Sequence, residues 1–195
     1  MSLTAIVTCH METPTSMLCN LATQDIEPHQ VLVGVSKLPP VYRLPPMPFT
    51  VEMFFGPDEG DYGYAKRNRL LQLSLSEWTG FFNHDDSYAP NFIEAMTTLG
   101  DETEADVVYC PWSGIPRCTF RPQSSTLGNW IARTSLLKRL GGFPLHPKGH
   151  AWRDAGMIEL LQREAKFIAK HPDILYFHNK PFLAGTRTTR FGEVI

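Results

Sequence analysis

The segment Phe81-Phe82-Asn83-His84-Asp85-Asp86-Ser87 sets two carboxylates side by side at the end of a short apolar run. Like charges in contact repel, so such a pair usually sits where a cation or hydrogen-bond donors hold it. A hard divalent ion, Mg or Mn, takes carboxylate oxygens and keeps positions open for substrate phosphates. The same residues would also serve as a solvated turn ahead of the helix-like stretch Pro90 to Thr98. On this segment alone both readings stand. The elements around it must decide.

Leu3 to Cys9 is apolar and holds Ile6, Val7 and Thr8, which predicts a strand. Thr15 to Thr23 has apolar residues at helical spacing, and Gln30 to Val35 is a second apolar strand. Buried strands separated by a helix imply a parallel sheet covered by helices. Leu38 to Pro48 holds Pro39, Pro40, Pro45, Pro46 and Pro48, which excludes a helix or central strand there. Thr50 to Phe55 follows as a third strand, then a loop with Asp58, Glu59 and Asp61. Tyr64 to Trp78 is expected to be one helix, with Asn68, Leu71, Leu75 and Trp78 on a stripe. An inward amide such as Asn68 needs partners, because an unpaired buried one costs about 1–3 kcal/mol. Thr79 to Asn83 is the strand that delivers the acids, and Pro90 suits the first turn of the next helix. Asp106 to Cys110 is a further strand. Thr134 is placed to cap a short helix that Gly141 ends. Trp152 to Ala165 is a helix with Asp154 at its start, and Lys166 to Lys170 and Ile174 to Phe177 close the domain as strands. The expectation is one α/β domain over residues 1–195.

The bulk composition excludes several classes. A chain of 195 residues with 43% hydrophobic and 19% charged residues can bury a core and is not a disordered tail. A net charge of −2 without a basic stripe argues against nucleic-acid binding. No apolar run approaches the roughly 20 residues needed to span a bilayer. The start, Met1 to Cys9, lacks a basic n-region and a cleavage pattern, so it is expected to be a core strand and not a signal peptide. Cys9, Cys19, Cys110 and Cys118 have no zinc spacing and suit buried thiols in a reducing cytoplasm.

Three features converge: a strand ending at Asp85-Asp86, a helix beginning with Lys66-Arg67-Asn68, and a later helix beginning with Asp154 after a Gly-Gly-Phe-Pro turn at Gly141 to Pro144. In this order the chain resembles the inverting family 2 glycosyltransferases of the GT-A fold, from about Leu3 to His178. "AIVTCH" is similar to that family's first strand. "YAKRNRLLQLSLSEWTGFFNHDDSYAPNFIEAM" resembles its Arg-Asn and aspartate-rich block. "GNWIARTSLLKRLGGFP" resembles its acceptor-side strand and helix, and "WRDAGMIELLQREAKF" the segment with its Glu-Asp pair.

The resemblance implies a Rossmann-like, mostly parallel sheet flanked by helices. Its donor half would cover about residues 1–100, its acceptor half about 101–180, and residues 181–195 would form a tail. It implies a hexosyltransferase that moves a sugar from a nucleotide-sugar donor, UDP-sugar before GDP-sugar, to a glycan, lipid-linked or protein-linked hydroxyl. Asp154 would be the general base; as an alternative it is a helix N-terminal acid complementing the dipole. Asp85 and Asp86 would hold Mn or Mg on the donor diphosphate, with Asp86 favoured as the direct ligand and His178 as a further one. Thr8, His10, Arg67, Asn68, Asn83, His84 and Asp85 would line the donor site. The location implied is cytoplasmic, soluble or peripheral at a membrane.

Departures from the family pattern open an alternative. Asn83 stands where the family usually has Asp, and Arg153 where it has Glu. The second strand ends Val33-Gly34-Val35-Ser36, without the usual acid for base or ribose. No extra acceptor domain is present in these residues. Lys180, Arg187 and Arg190 give the tail a positive bias suited to a diphosphate or an anionic acceptor. A catalytically weak nucleotide-sugar-binding module within a larger complex is therefore the second reading. A nucleotidyltransferase is third, since the segment after Cys9 lacks the Gly-rich loop that such enzymes carry.

Overall fold

The computed structural model describes residues 2–10, 12–36, 43–57, 63–144 and 151–178; the side chains of residues 10 and 151–153 fall outside that description. So do Asp58, Glu59 and Asp61, and so do Lys180, Arg187 and Arg190. Seven strands form one sheet in the order β3-β2-β1-β4-β7-β6-β8. They are β1 (Leu3–His10), β2 (Gln30–Ser36), β3 (Val51–Phe55), β4 (Trp78–Asn83), β6 (Val107–Tyr109), β7 (Trp130–Arg133) and β8 (Ile168–Lys170). Two short strands, β5 (Ser87–Tyr88) and β9 (Tyr176–Phe177), pair antiparallel beside it. β3, β2, β1 and β4 run parallel, and β7 runs antiparallel to both β4 and β6. The expected mostly parallel α/β sheet is what forms.

Burial on both faces explains the unbroken apolar runs of β1, β2 and β4. Ala5, Val7, Val31 and Val33 face one core, with Met17, Leu18 and Leu21 of α1 (Thr15–Leu21) and Phe92, Ile93 and Met96 of α3 (Phe92–Glu102). Ile6, Leu32 and Phe81 face the other. There they meet Leu70 and Leu71 of α2 (Tyr64–Leu73), Leu136 and Leu137 of α4 (Thr134–Arg139), and Met157, Ile158 and Leu161 of α5 (Ala151–Glu164).

Two local expectations are corrected. The helix from Tyr64 stops at Leu73 and does not reach Trp78. Ser74 turns extended, and its hydroxyl bonds that of Thr79 at 2.9 Å, while Ser76 accepts from Thr4 at 2.9 Å. Both partners lie on strands β4 and β1, so tertiary contacts take over where the helix ends. Leu75 is consequently 81% exposed, and Trp78 opens β4 fully buried. Thr134 does not cap α4; it is the first helical residue, and its hydroxyl lies 2.8 Å from that of Thr79. Gly141 and Gly142 take the left-handed backbone (φ +77° and +80°) that ends the helix, as a glycine permits.

Candidate functional site

The parallel strands β1, β2 and β4 end together at His10, Ser36 and Asn83. The C-terminal edge of such a sheet is where an α/β fold leaves a ligand crevice. Thr8 is buried in this row, opposite Gly34 on one side and Asn83 on the other. After β4 the chain turns sharply, with the Asp86 amide donating to the Asn83 carbonyl at 3.3 Å. His84 and Asp85 occupy the tip of that turn.

The two neighbouring aspartates have different surroundings. Asp86 has no solvent exposure. Its Oδ2 accepts from Asn83 Nδ2 at 2.9 Å and from Tyr176 Oη at 2.8 Å. Its Oδ1 lies 3.0 Å from His178 Nδ1. The Tyr176 hydroxyl also lies 2.8 Å from that nitrogen. A carboxylate so placed assigns the proton to His178 Nδ1 and leaves Nε2 as the lone-pair nitrogen. The hydrogen bond to Asp86 raises the His178 pKa above its usual value against the opposing effect of burial, and the charges of Asp86, Asp85 and Asp154 add to it. Burial, reinforced by Asp86, raises the Tyr176 phenol far above the usual range, so it stays a donor. Asp85 is half-buried and carries no hydrogen bond or ion pair among the described residues.

The surroundings bear on which acid would meet a metal. Both oxygens of Asp86 are engaged by protein groups, which suits it to orient His178 and leaves Asp85 the more open carboxylate. Asp85 at the turn tip fits as ligand, and His178 through Nε2 fits as a second. A carboxylate that fixes the tautomer of a ligating histidine is a recurrent support for metal sites. Among the described residues no group of three or more His, Cys, Asp and Glu is spaced to hold a metal by itself. A site of this kind would need diphosphate oxygens and water to complete it, as Mg and Mn sites commonly do. His84 Nε2 lies instead 2.9 Å from Glu12 Oε2.

The first turn of α2 supplies the opposite wall. Gly63 precedes it at φ +82°, a backbone conformation that glycine permits, and packs beside Thr8. Arg67 is buried and donates from one Nη to Asn83 Oδ1 at 3.1 Å. Asn83 thus accepts from Arg67 and donates to Asp86. Lys66, also buried, crosses Gly34 and reaches the Ser36 hydroxyl at the end of β2. Asn68 does not open into the crevice. Its Nδ2 donates to the Phe143 carbonyl at 2.9 Å, and its Oδ1 accepts the Phe143 amide at 2.7 Å. It is the latch on the Gly141–Pro144 turn, which satisfies the inward amide predicted above. Cys9 behind this wall is pushed up to about 12, chiefly by burial, and so stays a neutral thiol.

Asp154 lies in the first turn of α5, close enough to His178 for its charge to be felt there. Tyr64 Oη donates to Asp154 Oδ1 at 2.7 Å. His10 ends β1 opposite Ser36, its side chain outside the described residues, as is that of Arg153. The end of the sheet therefore holds Thr8, Asn83, Asp85 and Asp86, with Arg67 of α2 bonded to Asn83, His178 bonded to Asp86, and Asp154 of α5 near enough for its charge to act on His178.

Tyr64 and Tyr176 escaped the sequence reading. Tyr176 lies two residues before His178, and a period-two spacing puts both on one side of an extended segment. Tyr64 lies three residues before Arg67, on one helix face. Both signals are present in the sequence but too common to single out a tyrosine.

No protein-family model matches the chain, and no curated protein matches it in sequence. Solved structures do match in shape. The crystal structure of S. aureus TarS superposes at a TM-score of 0.71 with 20% identity, over 94% of this chain and 37% of that one. TarS 1–349 in complex with UDP-GlcNAc gives 0.69 and 20%, over 91% and 58%. The same protein in complex with UDP gives 0.65 and 19%, over 91% and 60%. The fold is GT-A-like. At such identities the likeness is one of fold, and this chain spans between 37% and 60% of those chains.

Proposed function

We propose that this GT-A-like domain transfers a sugar from a UDP-sugar to a hydroxyl acceptor, with inversion at the anomeric carbon. One observation carries the reading: a single sheet edge gathers a helix-start carboxylate, Asp154, with the Arg67–Asn83–Asp86–His178 chain and the open carboxylate of Asp85. The TarS structures in complex with UDP-GlcNAc and UDP, which share the fold, support UDP as the nucleotide.

In the reaction, Asp154 takes the proton of the acceptor hydroxyl as that oxygen forms its bond to the anomeric carbon. The bond from that carbon to the diphosphate oxygen breaks on the opposite face, and UDP leaves with the electron pair. Asp85 and His178 Nε2 would hold Mn or Mg, which when bound neutralises charge on the departing diphosphate. Asp86 holds His178 in the ligating tautomer. Arg67, anchored on Asn83, adds fixed positive charge beside the donor. Residues before about 100 would supply the donor half and those after it the acceptor half.

The test is Asp154→Asn, assayed for UDP release from UDP-GlcNAc and other UDP-sugars with Mn present. Loss of a catalytic base should lower turnover by about 10²–10⁴-fold and leave UDP affinity by calorimetry near wild type. Wild-type turnover in the variant would remove Asp154 as the base. Metal-dependent UDP binding by a wild type without turnover would favour the binding-module reading.

A further inference from the structure

We infer that Tyr64 is a positioning residue for the general base: it aims the Asp154 carboxylate and couples that aim to the donor wall. This rests on the transferase reading above. Three contacts carry it. Tyr64 Oη donates to Asp154 Oδ1 at 2.7 Å, a length typical of a charge-assisted O–H···O⁻ bond. The Tyr64 ring is buried and packs on the Phe143 ring at 5.3 Å between centroids, so the hydroxyl has a fixed origin. The Arg67 guanidinium lies over the same ring at 5.1 Å.

The placement follows from local structure. Gly63 at φ +82° starts α2 beside Thr8, and Tyr64, the first helical residue, reaches Asp154 of α5. Asn68, one turn further on, grips both backbone groups of Phe143. Gly156 in α5 leaves room for Pro144, whose Cγ would lie 2.9 Å from a Cβ there. The start of α2 therefore holds the approach to α5 through Tyr64 and Asn68, and Tyr64 reaches the Asp154 carboxylate. One tyrosine touches both the group that would take the acceptor proton and the arginine that faces the donor. With Oδ1 held by Tyr64, the carboxylate presents a fixed direction to an incoming hydroxyl, and near-attack geometry depends on such fixing.

The experiment uses the whole chain and UDP-GlcNAc or whichever UDP-sugar the wild type turns over. It compares wild type, Tyr64→Phe, Asp154→Asn and the double variant. Phenylalanine keeps the ring under Arg67 and against Phe143 and removes only the hydroxyl. A hydrogen bond to a charged group lost in this way should lower kcat by about 10- to 100-fold. Donor KM and UDP affinity should stay within about twofold, because the Arg67 contact survives. In the Asp154→Asn background the Tyr64→Phe loss should vanish, since residues acting through one another are not additive. A merely structural hydroxyl would lower both backgrounds alike and shift KM with kcat. Full kcat in Tyr64→Phe, or the same loss in both backgrounds, overturns the inference while leaving the transferase reading intact if Asp154→Asn is inactive. Wild-type turnover in Asp154→Asn, or no turnover by the wild type, overturns both. A thermal double-mutant cycle on the same proteins checks the contact without activity: zero coupling between positions 64 and 154 also refutes it.

Discussion

Removing the Asp86 carboxylate should unfold the domain more readily before it affects any metal. The side chain is inaccessible and is shared by Asn83, Tyr176 and His178 at 2.9, 2.8 and 3.0 Å. Breaking a buried charged network by deleting one partner costs about 3–5 kcal/mol. His178 is 35% exposed, so water can replace part of what it loses, and the lower end of about 3 kcal/mol applies. For a domain of this size each kcal/mol moves Tm by about 2–4 °C, so Asp86→Ala should melt roughly 6–12 °C lower. Asp85→Ala, at the half-buried turn tip, should melt within about 2 °C of wild type, as surface substitutions do. Thermal denaturation by circular dichroism, without nucleotide or metal, measures both. If Asp86→Ala keeps the wild-type Tm yet loses Mn-dependent UDP binding, Asp86 is the direct ligand after all and the orienting role is wrong.

Other outcomes follow from the same geometry. Asp85→Ala should abolish the Mn-dependent part of UDP binding by calorimetry, and unchanged binding would exclude Asp85 as ligand. The raised His178 pKa means that its pairing with Asp86 stabilises the fold fully below the ordinary value of about 6.5, and that this contribution is lost as pH rises through the raised folded value. The Tm gap between wild type and His178→Gln should therefore be wider at pH 5.5 than at pH 9, and a gap independent of pH would refute the pairing. Gly142→Ala would place a Cβ 2.3 Å from Asn68 Oδ1 at φ +80°, and strain of about 1–3 kcal/mol should lower Tm by several degrees. Asn83→Asp would set two carboxylates 2.9 Å apart, so its Tm deficit should grow from pH 5 to pH 8 as a shared proton is lost; an equal deficit at both would show that Arg67 absorbs the charge.

The fold was legible because its buried strands are unbroken apolar runs whose period cannot be mistaken for a surface helix. Leu3–His10, Gln30–Ser36 and Trp78–Asn83 lie within a residue of where Ile6, Val33 and Phe82 predict them. The end of α2 was not legible, because Leu71, Leu75 and Trp78 satisfy a helical stripe while Ser74 and Ser76 find partners that end it. Spacing sees side-chain type and not hydrogen-bond competition. The sequence marks the two acids but does not distinguish them. Asp85 and Asp86 are identical in type, and only the turn decides which is walled in and which is left open. That decision rests on Tyr176 and His178, some ninety positions later in the chain, and no local pattern contains it.

Asn83 is best understood from the same geometry. An aspartate there could only accept, and it would face Asp86 as a like charge. An amide carries both senses: its oxygen takes the Arg67 guanidinium and its nitrogen gives to Asp86. Arg67 is thereby tied to His178 through three hydrogen bonds and two side chains, Asn83 and Asp86, without a second negative charge beside Asp86. The departure that first suggested a degenerate site instead completes a connected one. It also leaves Asp85 as the carboxylate of the turn without a hydrogen-bond or ion-pair partner among the described residues. The Asn83→Asp variant therefore weighs on the functional reading as well as on stability: a change toward the common residue should weaken this particular arrangement.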